Sequence, residues 1–237
     1  MTESADLVNK SDARMDRVLD AAGELLLRWG YQRVTIDEIA RHAGIGKGTV
    51  YLHFPNKEAL FLTLLLRAQR RSLTGVLDAV AADPRNVLPS RVLRHVYLHV
   101  AQDPVLRALY LGDAEVLGRL THEATETLGE LSAERARGVR EHFAALREAG
   151  AMRTDLDLDA QVHVMQAVAT GFFFVDALPA SPLDTQQRAD LIAHTMAGAL
   201  EVADPPREAL ADVVDRLGAL YTSMIDKFDE ELRRRTR

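Results

Sequence analysis

The sequence predicts an all-α protein with a small N-terminal helical module followed by a larger helical body. Nearly every segment repeats its apolar residues at intervals of three and four, which is the pattern of an amphipathic helix. Helix-forming Leu, Ala, Arg and Glu dominate, and aromatic residues make up only 5% of the chain. No segment alternates like a strand, and a hydrophobic content of 47% is sufficient for a core.

The first helix is predicted over residues 12–28, and Gly30 follows it as a helix stop. The polar residues 1–11 that precede it are expected to be disordered. A second helix begins at Thr35, because Thr35 and Glu38 have the spacing of a capping box.

A third, short helix is predicted over residues 47–53, after a tight turn at Gly44. Pro55-Asn56 ends it and caps a fourth helix, which starts near Lys57. Short consecutive helices, of which the second and third are joined by a glycine-containing turn, indicate a helix-turn-helix.

The rest of the chain predicts further helices, which are separated by proline and glycine. They begin at Ser90 and Asp103 and then run over 121–149, 157–177 and 185–202. The last helix has an apolar seam that needs a partner, and the sequence does not decide between its own subunit and a second copy. The seam consists of Leu210, Val214, Leu217, Tyr221, Met224 and Phe228.

The charge and composition limit the class of protein. The net charge of −6 does not favour binding to nucleic acid, but residues 1–75 contain 11 Lys+Arg against 9 Asp+Glu. The absence of cysteine excludes disulfides and thiolate metal sites. The chain shows neither a signal peptide nor the ~20 apolar residues of a membrane span, so we expect a cytoplasmic protein that does not contact a membrane.

The segment GIGKGT, residues 44–49, raises the hypothesis of a nucleotide phosphate loop. Such a loop requires glycine where this chain has Arg41, and a hydroxyl residue where it has Gly48. The preceding segment is also predicted to be a helix and not the strand that leads into a phosphate loop. The polar side chains of residues 47–53 instead suit the phosphates and base edges of DNA.

Residues 21–61, AAGELLLRWGYQRVTIDEIARHAGIGKGTVYLHFPNKEALF, resemble the DNA-binding signature of the TetR family of transcriptional regulators. The resemblance implies a homodimer whose two third helices enter successive major grooves of a pseudo-palindromic operator. It also implies a helical body that binds a small effector. The implied domains are a helix-turn-helix domain at 1–57 and an effector-binding and dimerisation domain at 58–237.

The same resemblance assigns the DNA contacts residue by residue. Two positions depart from the family pattern, since Gly46 offers no capping side chain and Leu52 offers a contact to a thymine methyl group but no hydrogen bond. Tyr51 and His53 have alternative positions within the module itself. The predicted DNA-binding residues are Thr35, Lys47, Gly48, Thr49, Tyr51, Leu52, His53 and Lys57.

The effector site is predicted only as a mostly apolar pocket with scattered polar groups. His95 and His99 have the spacing of a two-histidine metal pair, but no third ligand lies at a suitable local spacing, so neither metal nor cofactor is expected. The candidate effector residues are His95, His99, Tyr110, His142, Phe143, His163, Gln166 and Phe173.

The two helices predicted over 157–177 and 185–202 are more apolar than one buried stripe requires. Their small residues permit close approach of a second helix pair, and in related regulators the corresponding pair forms a four-helix bundle with the partner. The candidate dimer residues are Ala160, Val164, Ala167, Gly171, Leu191, His194, Thr195 and Gly198.

The leading hypothesis is therefore a ligand-responsive transcriptional repressor that is released from double-stranded DNA by a small, mostly apolar effector. No nucleophile elbow and no metal-ligand cluster is recognisable, so no enzymatic activity is expected. The alternatives are an all-α scaffold, whose last helix docks a partner helix, and a small helical enzyme, both without DNA binding. A scaffold leaves the polar outer face of residues 47–53 unexplained.

Overall fold

A computed structural model describes residues 2–103, 105–107, 129–176 and 182–236 of the chain. These residues are helical almost throughout and contain no strand, apart from an isolated antiparallel bridge between Met152 and Glu201. The predicted all-α class is confirmed. In chain order, the described α-helices are α1 (Thr2–Trp29), α2 (Ile36–Ala43), α3 (Lys47–His53), α4 (Lys57–Ala82), α5 (Pro89–Gln102), α6 (Gly129–Glu148), α7 (Leu158–Asp176), α8 (Thr185–Leu200) and α9 (Ala211–Thr236).

Helix α1 begins at Thr2, so residues 2–11 are helical where the sequence indicated disorder. This stretch contains neither glycine nor proline, and nothing in its covalent structure stops a helix. Once the apolar face that starts at the buried Met15 is packed, each further residue toward the N-terminus adds one hydrogen bond.

The other helix ends agree closely with the sequence, because they depend on local capping. Asn56 Oδ1 accepts a hydrogen bond from the Ala59 amide at 2.6 Å and caps α4. Gly150 has a φ of 68°, as required of a left-handed residue after α6. The helices expected from Asp103 and over 121–128 fall mainly on residues 104 and 108–128, which lie outside the described residues.

The chain divides into two compact units. Of the described residues, the first unit contains 2–70, 105–107, 129 and 227–236, and the second contains 71–103, 130–176 and 182–226. The predicted domain boundary after residue 57 stays a prediction.

The core of the first unit is formed by the apolar residues that the helical spacing predicted. Val18 and Leu25 of α1, Ile39 of α2, Val50 of α3 and Phe61 of α4 are all at most 2% exposed. These residues are distant in sequence but all buried, so the short helices α2 and α3 are held by the longer ones.

The second unit has its own core, to which α5, α6, α8 and α9 contribute Tyr97, Leu146, Ile192 and Leu217. Leu210 and Val213 belong to the same core, so the seam of the last helix packs on its own subunit. The alternative that the sequence left open is thereby decided. No helix among the residues described above is both long and apolar enough to cross a membrane.

Gly44, which precedes α3, and Gly48, which lies in its first turn, are expected to respond oppositely to alanine. Gly44 has a φ of 68° and Gly48 lies within a regular helix with open space around its Cα. Gly44→Ala should lower the free energy of unfolding by about 1–2 kcal/mol, because a side chain is strained in the left-handed region. Gly48→Ala should raise it by up to ~1 kcal/mol. Urea denaturation followed by circular dichroism measures both, and equal effects would contradict the assignment of the turn.

Candidate nucleic-acid interface

The N-terminus of α2 is fixed by the capping box that the sequence predicted. The Thr35 hydroxyl accepts a hydrogen bond from the Glu38 amide at 3.3 Å, and the Glu38 carboxylate accepts one from the Thr35 amide at 3.0 Å. The same hydroxyl donates to Glu38 Oε2 at 2.8 Å. Thr35 is exposed, so this start of α2 lies at the surface with its orphan amide groups oriented outward.

The turn between α2 and α3 is compact because Gly44 adopts the left-handed conformation, with φ 68° and ψ 35°. The Ile45 amide then donates to the Ala40 carbonyl at 2.9 Å, which closes the end of α2. Gly46 is the N-cap of α3 and makes no side-chain capping bond. The sequence predicted that α3 lacks a capping side chain, and the structure agrees.

Helix α3 buries one face and presents the other. Val50 is completely buried, whereas Tyr51 is 42% and Leu52 is 84% exposed. Gly48 is exposed beside Leu52, and Thr49 is half-buried. A helix of seven residues that buries so little of its surface is positioned to contact something outside its own module.

Lys47 is held at the edge of this exposed face. Its Nζ donates to Asp37 Oδ2 at 2.6 Å and lies 5.5 Å from the centroid of the Tyr51 ring. The hydrogen bond to Asp37 raises the pKa of Lys47. Both charged side chains are more than half exposed, so the pair contributes little to stability and can exchange its carboxylate for a phosphate.

Lys57 occupies a different position from the one expected of a phosphate contact. Its Nζ donates to the carbonyl oxygens of Tyr31, at 2.7 Å, and Val34, at 3.0 Å. It also lies 4.1 Å from the centroid of the Tyr31 ring, while the Tyr31 hydroxyl donates to Glu58 Oε1 at 3.1 Å. Lys57 thus ties the short 3-10 turn Tyr31–Arg33 to the start of α4.

His53 lies at the end of α3, half-buried, with its ring 6.4 Å from that of Phe54. Its Nδ1 is buried and makes no hydrogen bond within the described part of the chain. The described residues therefore show no hydrogen bond from His53 Nδ1 back to the module, which was the alternative considered for this ring.

The candidate effector residues are not brought together into one site. His95 lines a cavity of about 410 Å³ between α4 and α5, together with Val76, Val92 and Leu98. His163 and Gln166 are exposed on α7. Tyr110 lies outside the described residues.

The remaining candidates are parts of the second unit's interior. His142 is buried, its Nε2 donates to the Val87 carbonyl at 2.7 Å, and burial lowers its pKa to about 4. Phe143 is 3% exposed, and Phe173 stacks on Tyr97 with ring centroids 5.7 Å apart. His99 has a buried Nε2 for which the described residues provide no partner.

A buried polar cluster escaped the sequence analysis. The Tyr97 hydroxyl hydrogen-bonds to Asp176 Oδ2, and Arg188 Nη1 lies 3.4 Å from Asp176 Oδ1. Burial, followed by the bond to Asp176, raises the pKa of Tyr97. The acidic residue at the end of the apolar run FFFVD was the available signal, since a carboxylate there is buried only with a partner.

The candidate dimer residues all lie on the outer surfaces of α7 and α8. Ala160 and Val164 are half-buried, and the other six are exposed. Large apolar side chains accompany them, because Phe174 is 63%, Val175 is 56% and Leu191 is 43% exposed. In the described ranges, no group of three or more His, Cys, Asp or Glu could hold a metal ion.

The described geometry was compared with known proteins. A model of the bacterial regulatory proteins of the tetR family matches residues 18–64. The HTH-type transcriptional regulator EthR of Mycolicibacterium smegmatis is 34% identical over 83 residues, which are 35% of this chain and 37% of that protein. The HTH-type transcriptional repressor AcnR of Corynebacterium glutamicum is 24% identical over 76% of this chain and 90% of that protein.

Solved structures share the fold. NalD, the secondary repressor of the MexAB-OprM multidrug efflux pump in Pseudomonas aeruginosa, aligns with a TM-score of 0.58 and 21% identity over 81% of this chain and 98% of that one. The transcriptional regulator FadR from Bacillus subtilis, solved in complex with stearoyl-CoA, aligns with a TM-score of 0.56 and 16% identity. The alignment covers 76% of this chain and 96% of FadR.

The chain spans only 37% of EthR, and 36%, 34% and 41% of three further curated regulators. The named relatives are transcriptional regulators and not enzymes, in agreement with the expectation from the sequence.

Replacing Lys57 tests whether it supports the module. Lys57→Met keeps much of the aliphatic length but removes three donors, so the Val34 carbonyl loses this hydrogen bond and the Tyr31 carbonyl keeps the one from the Val34 amide at 3.3 Å. We expect the free energy of unfolding to fall by about 1–3 kcal/mol, as for other half-buried polar groups left unpaired. Lys47→Met is the matched control and should change it by less than ~1 kcal/mol. If both variants unfold at the wild-type urea concentration, Lys57 is not a structural contact.

Proposed function

We propose that the chain is a ligand-responsive transcriptional regulator of the tetR family, whose model matches residues 18–64, and that it binds operator DNA. The observation that carries the proposal is helix α3, which buries Val50 and presents Lys47, Tyr51 and Leu52 outward. Neither of the alternatives, an all-α scaffold or a small helical enzyme, explains why α3 presents these side chains outward. The relatives named above are regulators.

The proposed contacts combine phosphate binding with base recognition. The N-terminus of α2 at Thr35 and the ammonium group of Lys47 are proposed to bind phosphates, because both are exposed. Gly48, Thr49, Tyr51 and Leu52 would face the major groove. Two such helices, one from each protomer, would enter successive major grooves of a pseudo-palindromic operator.

Lys57 and His53 are proposed to act mainly through the module. Lys57 already donates to two backbone carbonyls, so its contribution to DNA binding is the position it gives to the start of α4. His53 lies half-buried at the end of α3, with its ring 6.4 Å from that of Phe54, so it is proposed to support this end of the helix.

The direction of regulation is proposed to be repression. AcnR, whose match extends over 90% of its length, is described as a repressor, and so is NalD among the structures. FasR of Mycolicibacterium smegmatis is described as an activator, but it is matched over only 34% of its length. The chain is accordingly proposed to act in the cytoplasm, where its operator is.

The effector is proposed to be small and mostly apolar. The cavity beside His95 has about 410 Å³, a size that suits a small organic molecule. Its walls are apolar at Val76, Ala79, Val92 and Leu98 and polar at Asn86, Arg91 and Arg94. FadR from Bacillus subtilis was solved with stearoyl-CoA, which shows that an apolar chain can be accommodated in this fold. The ligand would act by binding more tightly to the conformer that fits DNA poorly.

The homodimer is proposed to form through the outer faces of α7 and α8. Phe174, Val175 and Leu191 are large, apolar and exposed there, and such contiguous residues are rare on the surface of a monomer. Ala167, Gly171 and Gly198 are small and exposed on the same helices, so a second pair of helices can approach closely.

Operator binding is tested with DNA selected from a random pool by the purified chain. We expect a specific complex whose association constant falls steeply with salt, because Lys and Arg replace counterions on the phosphates. The double variant Lys47→Ala/Tyr51→Ala should lose at least about tenfold in affinity, and its salt slope should fall by about two, one for each protomer.

The charge-matched control is Arg137→Ala, which removes a positive charge from the exposed surface of α6. It should bind like the wild type, and circular dichroism should show equal helicity in all three proteins. Full binding by the double variant would contradict the interface, and failure of the wild type to select any DNA would contradict the function.

The dimer is tested by sedimentation at micromolar concentration. We expect one species near twice 26.2 kDa for the wild type. Leu191→Glu should shift it toward the monomer, because a carboxylate would be buried against the partner. Leu27→Glu, at a leucine of α1 that is 49% exposed, is the control and should remain dimeric. A monomeric wild type would contradict the proposed interface.

A further inference from the structure

Among the described side chains of the DNA-binding module, the most exposed large apolar one is on α3. Leu52 is 84% exposed, compared with 49% for Leu27 and 42% for Tyr51. Exposing an apolar side chain this fully on so short a helix brings no stability, because the free energy of apolar burial is lost. Leu52 is therefore available to contact a partner outside the module.

Helical geometry places Leu52 on the line of α3 that projects furthest from the module. At about 100° per residue, Leu52 and Gly48 each lie about 160° from Val50, which is completely buried. Leu52 and Gly48 are also four residues apart and are therefore neighbours on the same face.

Gly48 makes this line accessible. A Cβ at that position would meet nothing within 4 Å, so the glycine is not required by packing inside the protein. A helical side chain leans toward the N-terminus and covers the preceding turn. The isobutyl group of Leu52 thus lies beside bare backbone, with no other side chain on this line to hold it away from a groove.

The polar residues of α3 lie on either side of that line. Lys47 is paired with Asp37 and lies against the ring of Tyr51 on one side, and Thr49 lies half-buried on the other. Hydrogen-bond donors are therefore at the flanks, toward the strands of a duplex, and the centre of the face is apolar. In the major groove the only apolar group that a base pair presents is the 5-methyl group of thymine.

We propose that Leu52 is a specificity-determining residue, which selects thymine in each half-site by contact with its 5-methyl group across the bare turn at Gly48. The inference rests on the proposed function and deepens it, because it states which chemical group of the DNA the centre of the interface recognises. It requires no hydrogen bond from residue 52 and predicts a preference based on one methyl group.

The test removes that methyl group from the DNA and leaves every hydrogen-bonding atom in place. The wild-type chain selects an operator from a random pool, and each thymine of one half-site is then replaced in turn by deoxyuridine. We expect one or two positions at which the replacement weakens binding about fourfold, the effect of one buried methyl group. Fluorescence anisotropy at one fixed salt concentration measures the dissociation constants.

The matched protein variant is Leu52→Ala. It should bind the thymine operator several times more weakly than the wild type, and it should bind the thymine and deoxyuridine operators equally at the responsive position. Leu27→Ala removes an exposed leucine of α1 and should keep the wild-type sensitivity to deoxyuridine. Alanine favours the helix, so Leu52→Ala is expected to fold, and circular dichroism checks this.

Two results would overturn the inference while the proposed function stands. One is specific binding in which no thymine of the half-site responds to deoxyuridine, and the other is a Leu52→Ala variant that keeps the full response. If the wild type selects no DNA at all, the proposed function fails and this inference fails with it.

Discussion

The burial of Val50 is the constraint on which the DNA-binding module depends. Helix α3 has only seven residues, and an isolated helix of that length is not stable in water. Within α3, Val50 is completely buried. Phe54, which directly follows the last residue of the helix, is 1% exposed. These two contacts hold the helix in place from beneath, so the opposite side of α3 needs no packing partner within the module and is available for a ligand.

The position of α3 also depends on contacts within its own module. The left-handed turn at Gly44 sets the direction of the chain between α2 and α3, and Lys57 ties the turn at Tyr31 to α4 through two carbonyls. The position of Lys57 is compatible with two interpretations, a contact to a DNA phosphate and a structural contact within the module. A lysine close to a recognition helix suggests a phosphate contact, but the ammonium group of Lys57 donates to the carbonyls of Tyr31 and Val34 at the 3-10 turn.

Electrostatics reconciles a net charge of −6 with binding to DNA. Charged groups further apart than about 10 Å are largely screened at ordinary salt, so the local charges of the module determine its affinity for phosphates. Asp37 keeps Lys47 in position without DNA, and both partners remain exposed. In the helical body, by contrast, His142 and Asp176 are polar groups that are buried. His142 is neutral because burial lowers its pKa to about 4, and Asp176 is buried only together with Tyr97 and Arg188.

The sequence by itself determined the local features of this protein. The capping box at Thr35, the turn at Gly44 and the extent of α3 depend on residues within five positions of one another, so their spacing was sufficient to predict them. It did not locate the start of α1, since a helix continues through any segment that lacks a stop signal.

Only the tertiary structure decided which distant residues meet. It placed Lys57 against the carbonyls at 31 and 34, buried His142 beside Val87, and packed Leu217 of the last helix into its own subunit's core. An amphipathic pattern states that a face will be buried, but not against what. That choice depends on which helices fill the same volume, and the helical period of a single segment carries no information about it.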